Sequence, residues 1–85
     1  MTDRESVDPR IIECFHAALG RPDLVLDASS TMETTDGWDS FAHINLVLAL
    51  EDAFGVEFDT EEIPELREMP RIVEALRSRG ALDTV

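Results

Sequence analysis

The 85-residue chain has no lysine, a single cysteine, and no uninterrupted apolar run near the ~18 residues that a membrane-spanning helix needs. The lone cysteine, Cys14, excludes a disulfide within the chain, and its helical spacing from Ile11 and Phe15 favours a buried thiol over a reactive one. A basic-then-apolar leader is also missing, so we expect a soluble, cytoplasmic protein that does not associate with membranes. At this length we expect one domain over residues 1–85, with a folded part of about 8–80 and flexible termini.

Basic residues are absent from the central segment Pro22–Leu66, which holds twelve of the nineteen acidic residues. The rest of the chain balances seven acids against seven arginines, so the formal charge of −12 resides in the central segment. Such a field repels phosphate backbones and attracts basic protein surfaces, so we expect protein partners and no nucleic acid. The alternating Asp/Asn pattern of a calcium loop is missing, and we expect no metal site. We also expect a monomer.

Helix start and stop signals predict an all-α fold, a four-helix bundle with three longer helices and a short third one. Asp8-Pro9 predicts the start of the first helix, which runs to Gly20. The central helix is predicted to begin at Ser40, after Asp39, and to end at Gly55. Ile63 and Leu66 indicate a short third helix that Pro64 and Pro70 interrupt, and Pro70 opens a last helix that ends at Gly80. We expect Ile72, Val73 and Leu76 of that helix to face inward.

A long connection, Arg21–Asp39, joins the first two helices and shows no sustained period. We expect apolar side chains to pin it across the bundle, namely Leu24, Val25, Leu26, Met32 and Trp38. The chain contains no strand pattern, internal repeat or second domain.

The central helix has two apolar faces. Projection at about 100° per residue places one set on the core side: Leu46, Val47, Leu50, Ala53 and Phe54. A second set, Phe41, Ile44 and Leu48, lies on the other side, with acids nearby at Glu51, Asp52 and Glu57. A protein this small cannot bury both faces, so we expect the second set and its acids to form a partner-docking surface.

Ser40 lies at the mouth of this surface, at the positive end of the helix dipole. A nucleophilic serine needs a base, and the chain offers only His16 and His43. The Gly-x-Ser-x-Gly motif of a nucleophile elbow is absent, which disfavours a small serine hydrolase. We expect no catalytic residue, a structural role for His43, and a role for Ser40 as the substrate of another enzyme.

Asp39-Ser40-Phe41, followed by the segment Leu50–Phe58, resembles the acyl carrier protein family. The resemblance extends from Ile11 to about Leu82 and is most specific between Gly37 and Phe58. It implies a stand-alone, non-catalytic carrier in which Ser40 bears 4'-phosphopantetheine, transferred from coenzyme A by a phosphopantetheinyl transferase. It also implies that Asp39 lies beside the arm, where Trp38 either flanks the arm or packs the loop.

The resemblance further implies that acyl or aminoacyl groups are carried as thioesters between a loading ligase and a downstream transferase or synthase. Phe41 replaces the leucine that usually follows the serine, and Ala42, His43 and Asn45 stand where fatty acid carriers tend to have acids. These departures favour a dedicated pathway, such as polyketide, aminoacyl or modified-sugar assembly, over housekeeping fatty acid synthesis. The alternative is an acidic helical adaptor that is never modified and binds a basic partner through the same surface.

Overall fold

A computed structural model describes residues 7–82 of the chain. Within this range the chain forms three α-helices, α1 (Pro9–Leu19), α2 (Ser40–Phe54) and α3 (Met69–Ser78), and no strand. The all-α class is therefore confirmed. The predicted flexible termini fall mainly on residues 1–6 and 83–85, which lie outside the described residues.

The predicted short third helix is a single 3-10 turn, Ile63–Glu65. Pro64 lies at its start, and Pro70 lies in the first turn of α3, so little chain remains between the two prolines for an α-helix to propagate. The fold is thus three α-helices and one 3-10 turn over residues 7–82, and the predicted count of four helices is not confirmed.

The ends of α1 and α2 follow the capping signals in the sequence. The Asp8 carboxylate caps α1, and Gly20 ends it with a φ of 68°. The Asp39 carboxylate caps α2, and Gly55 ends it with a φ of 66°. Both glycines take the left-handed conformation, which residues with a Cβ adopt at a cost. These caps fix where α2 begins, and so fix the position of Ser40 as its first residue.

The core is built from one face of each α-helix. α1 packs against α2, and α3 contributes buried side chains to the same core. Seven large side chains are fully buried: Ile11, Phe15, Leu46, Leu50, Met69, Ile72 and Leu76. Val47 is also buried and Phe54 is half-buried, but Ala53 is exposed, so the prediction for Ala53 was wrong. Ala53 is three residues from Leu50, about 60° round the helix from it, and therefore lies at the edge of the buried arc.

The long loop between α1 and α2 is held by backbone hydrogen bonds as well as by apolar side chains. Met32 donates its N–H to the Arg67 carbonyl at 2.8 Å, and the N–H of Met69 donates to the Ser30 carbonyl at 2.8 Å. Leu24, Leu26 and Met32 are half-buried, but Val25 is 90% exposed, so its predicted role as an anchor was wrong. The backbone bonds fix the loop against the start of α3 without help from that side chain.

Candidate functional site

Ser40 is the exposed first residue of α2. The Asp39 side chain accepts a hydrogen bond from the Ala42 N–H at 2.8 Å, and its carbonyl accepts from the His43 N–H at 2.8 Å. The N–H groups of the first helical turn have no acceptor within the helix itself. Ser40 is thus a solvent-exposed residue at a helix end whose dipole favours an anion.

A buried polar chain lies directly beneath Ser40. Trp38 is 3% exposed and packs edge-on against Phe15, with ring centroids 4.8 Å apart. Its indole N–H donates to Nδ1 of His43 at 3.0 Å, and Nε2 of His43 lies 2.8 Å from the Ile63 carbonyl. Because Nδ1 accepts from the indole, Nε2 carries the proton that is donated to Ile63. These two hydrogen bonds link the long loop, α2 and the 3-10 turn.

This arrangement leaves His43 without a free ring nitrogen to activate Ser40. Both ring nitrogens of the buried His43 have partners in the core, as its predicted structural role requires. His16 is half-buried, and its Nε2 lies 3.0 Å from the Leu24 carbonyl. Trp38 contributes to the core, which favours the loop-packing interpretation of this residue over one in which its side chain flanks an attached arm. With both ring nitrogens engaged, His43 cannot serve as the base that a nucleophilic serine requires.

A groove of about 440 Å³ opens beside Ser40. It lies between α2 and the segment that includes the 3-10 turn, and its apolar lining comes from Met32, Ile44, Ile63 and Pro64. Arg67, which is exposed, lines the same groove. Ser40 therefore borders a groove whose lining is mostly apolar and includes one positively charged residue, Arg67.

The second apolar face of α2 is exposed, as predicted. Phe41 is 79% exposed, Ile44 52% and Leu48 58%. Their spacing of three and four residues aligns them in one row that starts next to Ser40. We call these three residues the exposed stripe. A contiguous apolar row on a soluble domain is a common feature of protein-binding surfaces.

The three acids expected along the exposed stripe differ in their exposure to solvent. Asp52 and Glu57 are exposed. Glu51 is half-buried, and its carboxylate accepts the Phe58 N–H at 2.9 Å. Glu51 therefore holds the chain that follows α2, a role that sequence reasoning missed because its partner lies seven residues away. Asp52 and Glu57 remain the acids available to a partner.

Cys14, the one thiol of the chain, lies in the core at 6% exposure. Burial raises the pKa of this thiol, and the nearby Glu13 and Asp52 carboxylates raise it further. The thiolate form is thus disfavoured, which agrees with the prediction of an unreactive core cysteine.

Over residues 7–82, every helix is too short or too polar to span a bilayer.

A family model described as a phosphopantetheine attachment site matches residues 9–76, which is most of the chain. No curated protein matches the sequence.

Proposed function

The chain belongs to the phosphopantetheine-attachment family, and from this membership we propose that Ser40 is the residue to which its arm is joined. Members of the family are non-catalytic carriers that hold 4'-phosphopantetheine covalently, so the chain is a carrier and not an enzyme. The observation that carries the assignment to Ser40 is the position of this exposed residue at the capped start of α2.

The residues around Ser40 fit an attached phosphodiester and arm. A phosphate on this hydroxyl would lie at the positive end of α2, where unpaired N–H groups and the helix dipole stabilise an anion. Asp39 fixes that end of the helix by capping it. The adjoining groove offers an apolar lining to the part of the arm that follows. The arm itself supplies the thiol that holds an acyl group as a thioester.

We assign partner docking to the exposed stripe together with Asp52 and Glu57. Enzymes that modify or use a carrier must bind close to its attachment point, and the stripe begins at the residue after Ser40. The acidic central segment would guide partners with basic surfaces to this face in a salt-dependent way. Such partners are a phosphopantetheinyl transferase, a loading ligase and a downstream transferase or synthase.

We propose acyl or aminoacyl cargo from a dedicated pathway. Support comes from the start of α2, where fatty acid carriers tend to have acids. There Ala42 and His43 are buried and Asn45 is uncharged and exposed, so this turn adds no negative charge to the docking face. A partner that docks here meets apolar contacts first, then Asp52 about two to three turns further along α2, and Glu57 after the end of the helix.

Transfer from coenzyme A tests the proposal directly. The protein is incubated with coenzyme A, magnesium and a broad-specificity transferase, and its intact mass is measured. We expect one phosphopantetheinyl group on the wild type and none on Ser40→Ala. Ser29→Ala serves as the matched control, because Ser29 is another exposed serine, located in the long loop, and this variant should be modified normally.

The other outcomes of this experiment are equally informative. No added mass on the wild type would favour the unmodified adaptor, and added mass on Ser40→Ala would overturn the choice of Ser40. A hydrolase would instead cleave activated esters without modification, and would lose that activity in Ser40→Ala.

A further inference from the structure

Among the arginines of residues 7–82, Arg67 alone lacks an acidic partner. Arg10, Arg21, Arg71, Arg77 and Arg79 each lie within ion-pairing distance of a carboxylate, at 3.0 Å from Asp8 in the first case and 2.8 Å from Asp36 in the second. The Arg67 guanidinium has no hydrogen bond or ion pair within the described range. In a chain with a formal charge of −12, an unpaired cation is the exception.

The position of Arg67 is fixed by the backbone. Its carbonyl accepts the N–H of Met32, another residue of the groove lining, at 2.8 Å. Arg67 is exposed and lines the same groove as Ser40, and it also lines a neighbouring pocket with Glu65 and Glu68. The backbone thus holds Arg67 at the groove while its guanidinium forms no ion pair with these acids.

We propose that Arg67 binds the phosphodiester that joins the arm to Ser40, while the apolar lining of the groove receives the adjoining part of the arm. This inference rests on the proposed function. A guanidinium matches a phosphate in geometry and can donate two parallel hydrogen bonds to its oxygens. The tether at Ser40 keeps the phosphate at a high effective concentration near the groove, so even a weak contact is populated.

The charge distribution explains why such a contact is useful. The added phosphodiester is a further anion within a central segment that already holds twelve acids and no basic residue. Arg67 is the first basic residue after that segment, and it offsets the added repulsion at the site itself. The aliphatic part of the arm next to the phosphate would contact Ile44 and Ile63 of the groove lining.

The test compares the unmodified and modified forms of three proteins: wild type, Arg67→Gln and Arg71→Gln. Arg71 is the matched control because it is a nearby exposed arginine that pairs with Glu65 and does not line this groove. Intact mass verifies that each modified form carries the arm, and thermal unfolding is followed by circular dichroism at low salt. We expect modification to raise the melting temperature of the wild type and of Arg71→Gln by about 2–4 °C more than that of Arg67→Gln.

Two further measurements separate a direct contact from a general charge effect. The difference between the variants should shrink in about 1 M salt, where the Debye length is only about 3 Å. The phosphorus-31 resonance of the modified protein should shift in Arg67→Gln and stay in place in Arg71→Gln. Equal melting shifts and equal phosphorus resonances in all three proteins would overturn the role of Arg67. Absence of any added mass would instead overturn the proposed function.

Discussion

Replacement of His43 by leucine should destabilise the fold through the buried chain Trp38–His43–Ile63. The wild-type imidazole accepts the Trp38 indole N–H at 3.0 Å and donates to the Ile63 carbonyl at 2.8 Å. Leucine fills a similar volume at this position, which is 5% exposed, but its side chain can neither accept nor donate a hydrogen bond. The indole N–H would then be buried without an acceptor.

The size of the effect follows from the surroundings of each partner. Loss of the acceptor leaves the buried indole N–H unpaired, which costs about 1–3 kcal/mol. The hydrogen bond to the Ile63 carbonyl is only partly buried, so we assign its loss the smaller cost of about 0.5–1 kcal/mol. Leucine recovers about 0.5–1 kcal/mol through its greater hydrophobicity. The net loss of about 2 kcal/mol corresponds to a fall in melting temperature of about 8–16 °C for a domain of this size.

Urea and thermal unfolding followed by far-ultraviolet circular dichroism measure this loss. The decisive comparison is a double-mutant cycle with Trp38→Phe, which removes the indole N–H. In the Trp38→Phe background, His43→Leu should lower the free energy of unfolding by at least about 1 kcal/mol less than in the wild type, because no buried indole N–H then loses its acceptor. Strict additivity of the two substitutions would refute the reasoning, because it would mean that the hydrogen bond between Trp38 and His43 contributes nothing.

Three further predictions concern the helix cap, the acid stability and the docking face. Asp39→Ala removes the cap of α2 and should lower the free energy of unfolding by about 1 kcal/mol, as measured in urea. The Arg79 guanidinium donates a hydrogen bond that holds the pKa of Glu62 below its ordinary value, so this carboxylate stabilises the fold at neutral pH and the contribution is lost as the pH falls. Glu62→Gln should therefore be less stable than the wild type at pH 7, and in urea unfolding the difference should diminish as the pH falls below the ordinary pKa of a glutamate, about 4.3. Phe41→Ala should lower kcat/KM of the transferase by about 5- to 30-fold with little change in melting temperature, whereas Val25→Ala, an equally exposed control, should not.

Each of these outcomes can fail in a distinct way. Unchanged unfolding of Asp39→Ala would mean that the cap adds nothing to α2. A deficit of Glu62→Gln that persists unchanged at low pH would assign the loss to packing and not to the charge. Equal rates for Phe41→Ala and Val25→Ala would remove the exposed stripe from the docking surface.

The features predicted correctly from the sequence depend on residues close together in the chain. The caps Asp8 and Asp39 and the terminating glycines act within one helical turn, so the bounds of α1 and α2 can be predicted directly. The exposure of Ser40 and of the stripe follows from helical periodicity, because a helix packed on one face must present the other to solvent.

The structural features that could not be predicted from the sequence depend on partners that are distant in the chain. Ile63, whose carbonyl accepts from His43, lies twenty residues away in the chain. The lack of an ion-pair partner for Arg67 depends on where the fold places the carboxylates of the other elements. Val25 was assigned to the core on its hydrophobicity alone, whereas backbone hydrogen bonds hold its loop. The length of the predicted third helix was overestimated, because two prolines close in sequence leave room for only a single 3-10 turn.

The two main-chain hydrogen bonds that join the long loop to the beginning of α3 carry a consequence for engineering. One of them joins Met32 to Arg67, two residues that line the groove beside Ser40, and both use peptide groups, which every amino acid except proline supplies in full. The side chains of Met32 and Ile63 can therefore be exchanged for smaller or more polar ones while these two main-chain bonds persist. Ile44 lines the same groove but also belongs to the exposed stripe, so a change there would alter docking as well. Redesign of the surface offered to the arm should begin with Met32 and Ile63.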